Sequence, residues 1–170
     1  MVRKLKKALK KLFLLLLLIP SILAVAFLCY EPGFVSGESM YPVLENNDLV
    51  LIKKTPFSKK SYKAGQILMF RRADTKDVLI KRLNGLPGQK INILEGKLTV
   101  NGTLVDEMET YPGLFLKDGD ELILKDCYFL SGDNRMHSTD SRDFGCIVAK
   151  DIIGEAQVVI WPPKNFKVLK

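Results

Sequence analysis

Ser39 is the first candidate for chemistry, because it lies in a predicted turn between Gly37 and Pro42. Gly37 permits a close approach of the backbone, and Pro42 stiffens the exit from the turn. Such a turn can present a hydroxyl group beside backbone N–H groups, which an acyl-transfer nucleophile and its oxyanion site require. Taken alone, however, the pattern favours an ordinary serine in a turn.

Lys81 is the second candidate, because it lies within a predicted strand over residues 77–83 and not in a solvent-facing run of lysines. The two-residue period of a strand places it on the same face as Leu79 and Leu83. Burial among leucines would lower the pKa of the amine, and a neutral amine can remove a proton from a serine hydroxyl. A lysine that protects an edge strand from pairing is an equally good interpretation of the spacing alone.

The third candidate is a polar cluster over residues 132–145, which directly follows an apolar predicted strand. Alternating acids, amides and arginines can satisfy one another in a buried network that fixes a loop near a catalytic group. A solvated surface loop is the alternative, but the density of complementary groups favours a network. The candidate members are Asp133, Asn134, Arg135, Asp140 and Arg142.

The remaining reactive side chains are one histidine, His137, and three cysteines, Cys29, Cys127 and Cys146. A Ser-His-Asp triad that includes Ser39 is open, although a lone histidine in a polar loop is more often exposed. No metal site is predicted, since the sequence lacks a Cys-x-x-Cys pair or a Cys/His cluster. Cys127 and Cys146 could pair in an oxidising compartment, but the sequence does not establish the geometry.

The elements that must position these residues are short strands separated by Gly, Asn, Asp and Pro. Two tight turns, Glu95-Gly96 and Asn101-Gly102, indicate consecutive hairpins. The pattern predicts a mainly β, hairpin-rich and partly barrel-like domain. The predicted strands cover residues 48–53, 66–70, 77–83, 90–94, 121–124, 128–130 and 156–161.

The net charge of +7 is a property of the N-terminal tail, because residues 1–11 hold six cations and no acid. The rest of the chain is nearly neutral, so a basic groove for nucleic acid is not supported. Residues 12–30 carry no charge. As a helix they would reach about 28 Å, close to the hydrocarbon thickness of a bilayer.

The positive-inside rule then predicts a single-pass protein of the cell membrane. We expect a cytoplasmic basic tail over residues 1–11, a transmembrane anchor over residues 12–30 and an extracytoplasmic catalytic β-domain over residues 31–170. A cleaved signal peptide is the alternative, since Ala24-Val25-Ala26 fits a cleavage site.

Together, these motifs and their order resemble bacterial type I signal peptidases, also called leader peptidases, of the peptidase S26 family. SGESMYPVL at residues 36–44 resembles the nucleophile motif of that family, and DLVLIKK at 48–54 the strand that follows it. KRLNGLPGQKI at 81–91 resembles the motif of the general-base lysine. SGDNRMHSTDSRDFG at 131–145 and IIGEAQVVIWPP at 152–163 complete the resemblance.

The resemblance implies a membrane-bound serine endopeptidase that removes signal peptides from secreted pre-proteins without a cofactor. Ser39 takes the place of the nucleophile, Lys81 that of the general base and Ser138 that of the serine that orients the lysine. Asp140 and Arg142 match a supporting ion pair, and Asn134 and Arg135 match structural positions.

One departure concerns the oxyanion hole, because Gly37 stands where some family members have a serine. We therefore expect the backbone N–H groups of Ser39 and Gly37 to form this hole. Apolar side chains near the site, namely Met40, Tyr41 and Phe70, are expected to contact lipid headgroups.

Three alternative functions remain at this level. The chain could be a specialised relative that matures one conjugation or pilus protein, or a non-catalytic, membrane-anchored assembly factor on the same fold. An assembly factor would be expected to lack the nucleophile or the base, and both are present. A soluble Ser/Lys self-cleaving regulator would not need residues 12–30.

Overall fold

A computed structural model describes residues 2–55, 62–105 and 113–169. The chain begins with helix α1 (Val2–Cys29), and a second, four-residue helix, α2 (Ser141–Phe144), lies in the polar cluster. Short 3-10 helices cover Arg135–His137, Ala149–Asp151 and Pro163–Asn165. The strands are β1 (Tyr30–Phe34), β2 (Leu49–Lys54), β3 (Ile67–Arg71), β4 (Val78–Gly85), β5 (Lys90–Leu94), β6 (Lys97–Val100), β7 (Thr103–Leu104), β8 (Glu121–Ile123), β9 (Cys127–Ser131), β10 (Ile147–Val148), β11 (Ile152–Trp161) and β12 (Lys167–Val168).

The larger of two antiparallel sheets has the strand order β1-β2-β11-β3-β4-β9-β10, with β12 paired to β11. The mainly β prediction is confirmed, but the prediction of a partly barrel-like domain is wrong. The sheet stays open because β1 and β10, at its two ends, do not pair with each other within the described residues. Strand β11 lies between β2 and β3, so it joins the strand that follows Ser39 to the strand pair that carries Lys81.

The smaller sheet has the order β7-β6-β5-β8 and contains both predicted hairpins. Glu95, Gly96, Asn101 and Gly102 all have positive φ angles, between 51° and 77°. Two consecutive residues with positive φ are typical of the two-residue turns that match the twist of a hairpin.

Three groups of buried apolar side chains hold the sheets together. One lies under the Ser39 segment, where Met40 and Leu44 are completely buried against Val50 and Ile52. Met40 and Phe70 have no exposed surface, so the prediction that they contact lipid is wrong. Tyr41, the third residue of that prediction, is 54% exposed.

Helix α1 covers most of the apolar N-terminal segment, but Tyr30 already belongs to β1. Within the described parts of the chain, no helix has both the length and the hydropathy needed to cross a membrane. The predicted transmembrane helix over residues 12–30 is therefore not supported by the structure.

Candidate active site

Ser39 and Lys81 are in direct contact, although 42 positions separate them in the chain. Ser39 lies half-buried in the loop between β1 and β2, and Lys81 lies on β4 with only 3% of its surface exposed. The Lys81 Nζ donates to the Ser39 Oγ at 2.5 Å. The sheet thus brings together the two residues that the sequence singled out as nucleophile and base.

The ionisation of Lys81 suits proton transfer near neutral pH. Burial lowers the pKa of its amine from 10.5 to about 8, because the charged form loses its hydration. The carboxylate of Asp140 opposes this shift, whereas the positive charge of Arg142 adds to it. A substantial fraction of Lys81 is therefore neutral at a mildly alkaline pH, and a neutral amine is able to accept a proton from a hydroxyl.

The loop that carries Ser39 is fixed by its own hydrogen bonds and by two buried side chains. The Tyr41 N–H donates to the Glu38 carbonyl, and the Leu44 N–H donates to the Met40 carbonyl. Since Met40 and Leu44 are completely buried, the residue next to Ser39 anchors the turn in the core.

Asn46 is a functional candidate that the sequence analysis missed. Its Oδ1 accepts a hydrogen bond of 2.9 Å from the Gly37 N–H, and Gly37 has a φ of +89°, which favours glycine. The Gly37 N–H already has a partner, so it is not free to bind an oxyanion. The Ser39 N–H is the other donor predicted for the oxyanion hole. It makes no hydrogen bond to a described residue and therefore remains available.

Hydrogen bonds from Asn165 hold the end of the Ser39 loop that leads into β2. Asp48 is completely buried, and its Oδ1 accepts a hydrogen bond of 2.7 Å from the Asn165 side chain. The same amide of Asn165 donates to Glu45 at 3.1 Å. The 3-10 helix after β11 thus fixes the end of the Ser39 loop.

The polar cluster contacts the Ser39 backbone directly. The Asn134 N–H donates to the Ser39 carbonyl at 3.0 Å, and the Gly132 N–H donates to Asp140 Oδ2 at 3.0 Å. A Cβ atom at position 132 would lie 2.3 Å from both the Ser138 Oγ and the Ser39 carbonyl oxygen. Only glycine therefore allows this close approach of the cluster to Ser39.

Asp140 and Arg142 form a buried ion pair at the centre of the cluster. The Arg142 Nε and Nη2 donate to the two carboxylate oxygens of Asp140, both at 2.8 Å, and neither residue is more than 2% exposed. Burial alone would raise the pKa of Asp140, but Arg142 and the donors at Gly132 and Ser138 hold it below its ordinary value. This burial agrees with the predicted structured network and not with the alternative of a solvated surface loop.

Ser138 lies in the network, but its hydroxyl donates to Asp140 Oδ2 at 2.7 Å. Among the described residues, no hydrogen bond joins Ser138 to Lys81. Ser138 is therefore linked to the lysine through Asp140, whose charge acts on the ionisation of Lys81.

The other predicted members of the network have structural contacts. Asp133 accepts two hydrogen bonds of 2.7 Å from Arg82, the neighbour of Lys81 on β4. Arg135 is buried, and its Nε donates to the Gly132 carbonyl at 2.8 Å. These contacts brace the segment that binds the Ser39 carbonyl.

A cavity of about 270 Å³ opens beside Ser39 and Lys81. Two runs of backbone form its walls: the end of β1 with the segment after it, and the first half of β4. Its lining is mainly apolar and consists of Gly33, Phe34, Val35, Ser36, Ser39, Met69, Val78, Leu79, Ile80 and Lys81. Such a space is able to accept small, uncharged side chains.

His137, Cys127 and Cys146 lie outside the Ser39–Lys81 pair. His137 is exposed at the end of a 3-10 helix, and no hydrogen bond joins it to Ser39 within the described residues. Cys127 and Cys146 form a disulfide with a Cα–Cα distance of 5.6 Å. The described residues contain no group of three His, Cys, Asp or Glu side chains placed to hold a metal ion.

Comparisons with known proteins agree on one family. Residues 5–161 match the family described as signal peptidase, peptidase S26. The signal peptidase I of Bacillus caldolyticus is 34% identical over 146 residues, which cover 78% of this chain and 80% of that protein. A relative from Synechocystis sp. is 31% identical, and the match covers 78% of this chain but 63% of that protein.

A solved structure of a signal peptidase I from Enterococcus faecalis V583 is similar to part of this chain. It is 22% identical and has a TM-score of 0.45, with 58% of this chain and 98% of that chain covered. A structural similarity this low does not contribute to the assignment of the site.

Proposed function

The chain belongs to the signal peptidase family, peptidase S26, and on this premise we propose that it removes N-terminal signal peptides from secreted pre-proteins as a serine endopeptidase. Ser39 is the nucleophile and Lys81 the general base. The observation that carries this assignment is the hydrogen bond between the Ser39 hydroxyl and a buried lysine of lowered pKa.

The reaction begins when the neutral amine of Lys81 accepts the proton of the Ser39 hydroxyl. The Ser39 oxygen then attacks the carbonyl carbon of the scissile peptide bond, and the Ser39 N–H stabilises the negative charge on the tetrahedral oxygen. Lys81 passes its proton to the leaving amine, which departs and leaves an acyl-enzyme. Neutral Lys81 then activates a water molecule, whose attack releases the signal peptide and restores Ser39.

The substrate lies extended beside the small cavity, between residues 33–36 and residues 78–81. Among its described neighbours, β9 pairs with β4 only from Arg82 onward, so the first half of β4 keeps one free edge for main-chain hydrogen bonds. Small side chains at the first and third positions before the cut enter the apolar cavity. Its volume supports this preference, as does the absence of charged side chains other than Lys81 among the described residues that line it.

We propose that the protein is held at a membrane, with its basic N-terminal residues cytoplasmic and residues 31–170 extracytoplasmic. Helix α1 exposes apolar side chains such as Phe13 and Leu16, each 62% exposed, which water solvates poorly. Lys54 fastens the end of this helix to the sheet, since its Nζ donates to the Phe27 carbonyl at 3.2 Å.

The sheet adds a second apolar surface next to the site. Phe34 on β1 and Trp161 on β11 both lie opposite Leu49 on β2, so the three side chains share one face of the sheet. Phe34 is 76% exposed and Trp161 58%. Aromatic side chains of this kind suit the interface between water and lipid, and they replace the buried Met40 and Phe70 as contacts with headgroups.

The assignment of Ser39 and Lys81 is tested with a purified pre-protein whose signal peptide ends in Ala-x-Ala, in detergent. We expect Ser39→Ala and Lys81→Met to abolish cleavage, because each removes one partner of the proton transfer. His137→Ala is the matched control and should retain most of the activity. Mass spectrometry of the products measures the cut, and full activity of either dyad variant would refute the assignment.

The proposed membrane contact is tested by flotation of the full chain with vesicles of phosphatidylglycerol and phosphatidylethanolamine. We expect the protein to float with the vesicles and to stay bound in high salt, because apolar contacts are not screened. Release of all the protein by salt would show that charge alone holds it and would contradict the proposal.

A further inference from the structure

A second cavity of about 740 Å³ lies between the two sheets, outside the site described above. One of its walls belongs to the large sheet and its adjoining loops, and the other to the β6–β7 hairpin. Its lining consists of Pro42, Val43, Ala64, Gly65, Arg82, Leu83, Asn84, Gln89, Val100, Asn101, Thr103, Leu104, Val105 and Asp133. No step of the proposed reaction uses this space.

The cavity adjoins the reacting pair on the side away from the smaller cavity. On β4, residues 78–81 line the smaller cavity and residues 82–84 line the larger one. The Ser39 loop shows the same division, with residues 33–36 at the smaller cavity and Pro42 and Val43 at the larger. Both segments therefore pass from one cavity to the other at Ser39 and Lys81.

The polar cluster gives a third link between the cavity and the site. Asp133 lines the cavity, and the next residue, Asn134, donates its N–H to the Ser39 carbonyl. A peptide whose scissile bond lies at Ser39, and whose preceding residues occupy the smaller cavity, continues after the cut toward the larger cavity.

The lining suits an uncharged, extended peptide segment. Among the described residues that line it, Arg82 and Asp133 are the only charged ones, and they neutralise each other through two hydrogen bonds of 2.7 Å. The Gln89 and Asn101 side chains accept backbone hydrogen bonds through their oxygens, which leaves their amide N–H groups without a partner among the described residues. Such donors can bind the carbonyl groups of a peptide.

We propose that this cavity binds the residues of the pre-protein that follow the scissile bond, the first residues of the mature protein. The inference rests on the proposed peptidase function and adds a second specificity site to it. The mature side contributes to recognition through its backbone and its side-chain volume more than through charge.

The test compares two peptides with the same residues before the cut. One continues for about six residues after the scissile bond, a length that extends about 20 Å, and the other ends there in an amine fluorophore. We expect the wild-type protein to cleave the long peptide with a kcat/KM about tenfold higher, which corresponds to about 1.4 kcal/mol of extra binding in the transition state.

Two variants fill the cavity from the smaller sheet, Thr103→Trp and Leu104→Trp. Each should lower kcat/KM for the long peptide much more than for the short one and thus remove most of the preference. Ile123→Trp is the matched control, because Ile123 is exposed on the same sheet but does not line the cavity, and it should keep the preference.

An equal loss for both peptides in the two cavity variants would overturn the proposal, as would a wild-type protein that shows no preference for the long peptide. Thermal melting of all three variants separates a filled cavity from a misfolded sheet. Failure of the wild-type protein to cleave either peptide would instead contradict the proposed peptidase function.

Discussion

At the residue scale, the burial of Lys81 decides how the site works. The sheet removes the amine from water and places it at hydrogen-bond distance from the Ser39 hydroxyl. Desolvation is the largest cause of its lowered pKa, and the nearby Asp140 limits that shift. The polar cluster therefore tunes the base in addition to holding the nucleophile.

The first prediction concerns the pH dependence of cleavage. Because only neutral Lys81 accepts the Ser39 proton, kcat/KM should rise about tenfold per pH unit below about pH 8 and level off above it. Initial rates with a fluorogenic Ala-x-Ala peptide between pH 6 and pH 10 measure this profile. A profile that is flat across the whole range would exclude Lys81 as the base.

The second prediction concerns Asn46, which we regard as a positioning residue. Asn46→Ala removes the acceptor of the Gly37 N–H and should lower kcat by about five- to tenfold, because one such hydrogen bond contributes about 1 kcal/mol. KM and the midpoint of the pH profile should stay unchanged, since neither substrate contacts nor Lys81 are altered.

Asn46→Asp is the matched variant for this prediction, because it keeps an oxygen acceptor of the same length. It should retain activity within about twofold of the wild type. If the alanine variant is fully active, or if both variants lose the same activity, the hydrogen bond to Gly37 has no role in positioning Ser39.

The sequence predicted some residues of the site and missed others for a physical reason. Lys81 was recognisable because a charged residue among leucines breaks the pattern of a strand. Asn46 was not, because an asparagine in a polar loop is ordinary and its partner depends on how the loop closes. The contact between the Gly37 N–H and Asn46, which competes with the predicted role of Gly37 in the oxyanion hole, was missed for the same reason.

At the element scale, the polar cluster is a closed loop that lies across the site. The disulfide joins Cys127, at the start of β9, to Cys146, just after α2. The enclosed residues include Gly132 and Asn134, which contact the Ser39 backbone, and the Asp140–Arg142 pair. The loop therefore carries every contact of the cluster with the nucleophile.

The third prediction follows from the 19-residue separation of the two cysteines. Replacement of both Cys127 and Cys146 by alanine should lower the free energy of unfolding by about 3 kcal/mol, because a loop of this length loses its cross-link. Urea denaturation measures the change, and Cys29→Ala should have little effect. In the unfolded, unreduced protein we expect one free thiol per chain, and a count of three would contradict the pairing.

Prediction of the elements succeeded where turn chemistry was specific. The two hairpins follow from Glu95-Gly96 and Asn101-Gly102, because glycine adopts positive φ readily and asparagine tolerates it. The two-residue strands β7, β10 and β12 are too short to show a period in the sequence. Closure of the sheet was wrongly predicted because pairing between distant strands is not visible in local patterns.

At the scale of the whole molecule, the buried lysine affects stability as well as activity. The pKa of Lys81 is about 8 in the folded protein and about 10.5 when the chain is unfolded. Between these values the unfolded state binds more protons, so the free energy of unfolding rises with pH. The free energy of unfolding is therefore lower below about pH 8 than above about pH 10.5, by about 3 kcal/mol.

The fourth prediction uses Lys81→Met to isolate this contribution. The variant has no amine to desolvate, so at pH 7 it should be more stable than the wild type by up to about 3 kcal/mol. The difference should shrink as the pH rises toward 10, where wild-type Lys81 is neutral. Urea denaturation at both pH values measures it, and a variant that is less stable than the wild type at pH 7 would contradict the burial cost.

The position of β11 between β2 and β3 has a consequence for synthesis. A growing chain contains Ser39 and Lys81 long before residues 152–161 have left the ribosome, yet the central sheet has a gap until that strand fills it. Contacts between such distant parts of a chain form late in folding. The large sheet is therefore complete only after residues 152–161 have been translated, so Ser39 and Lys81 take up their final places late in synthesis.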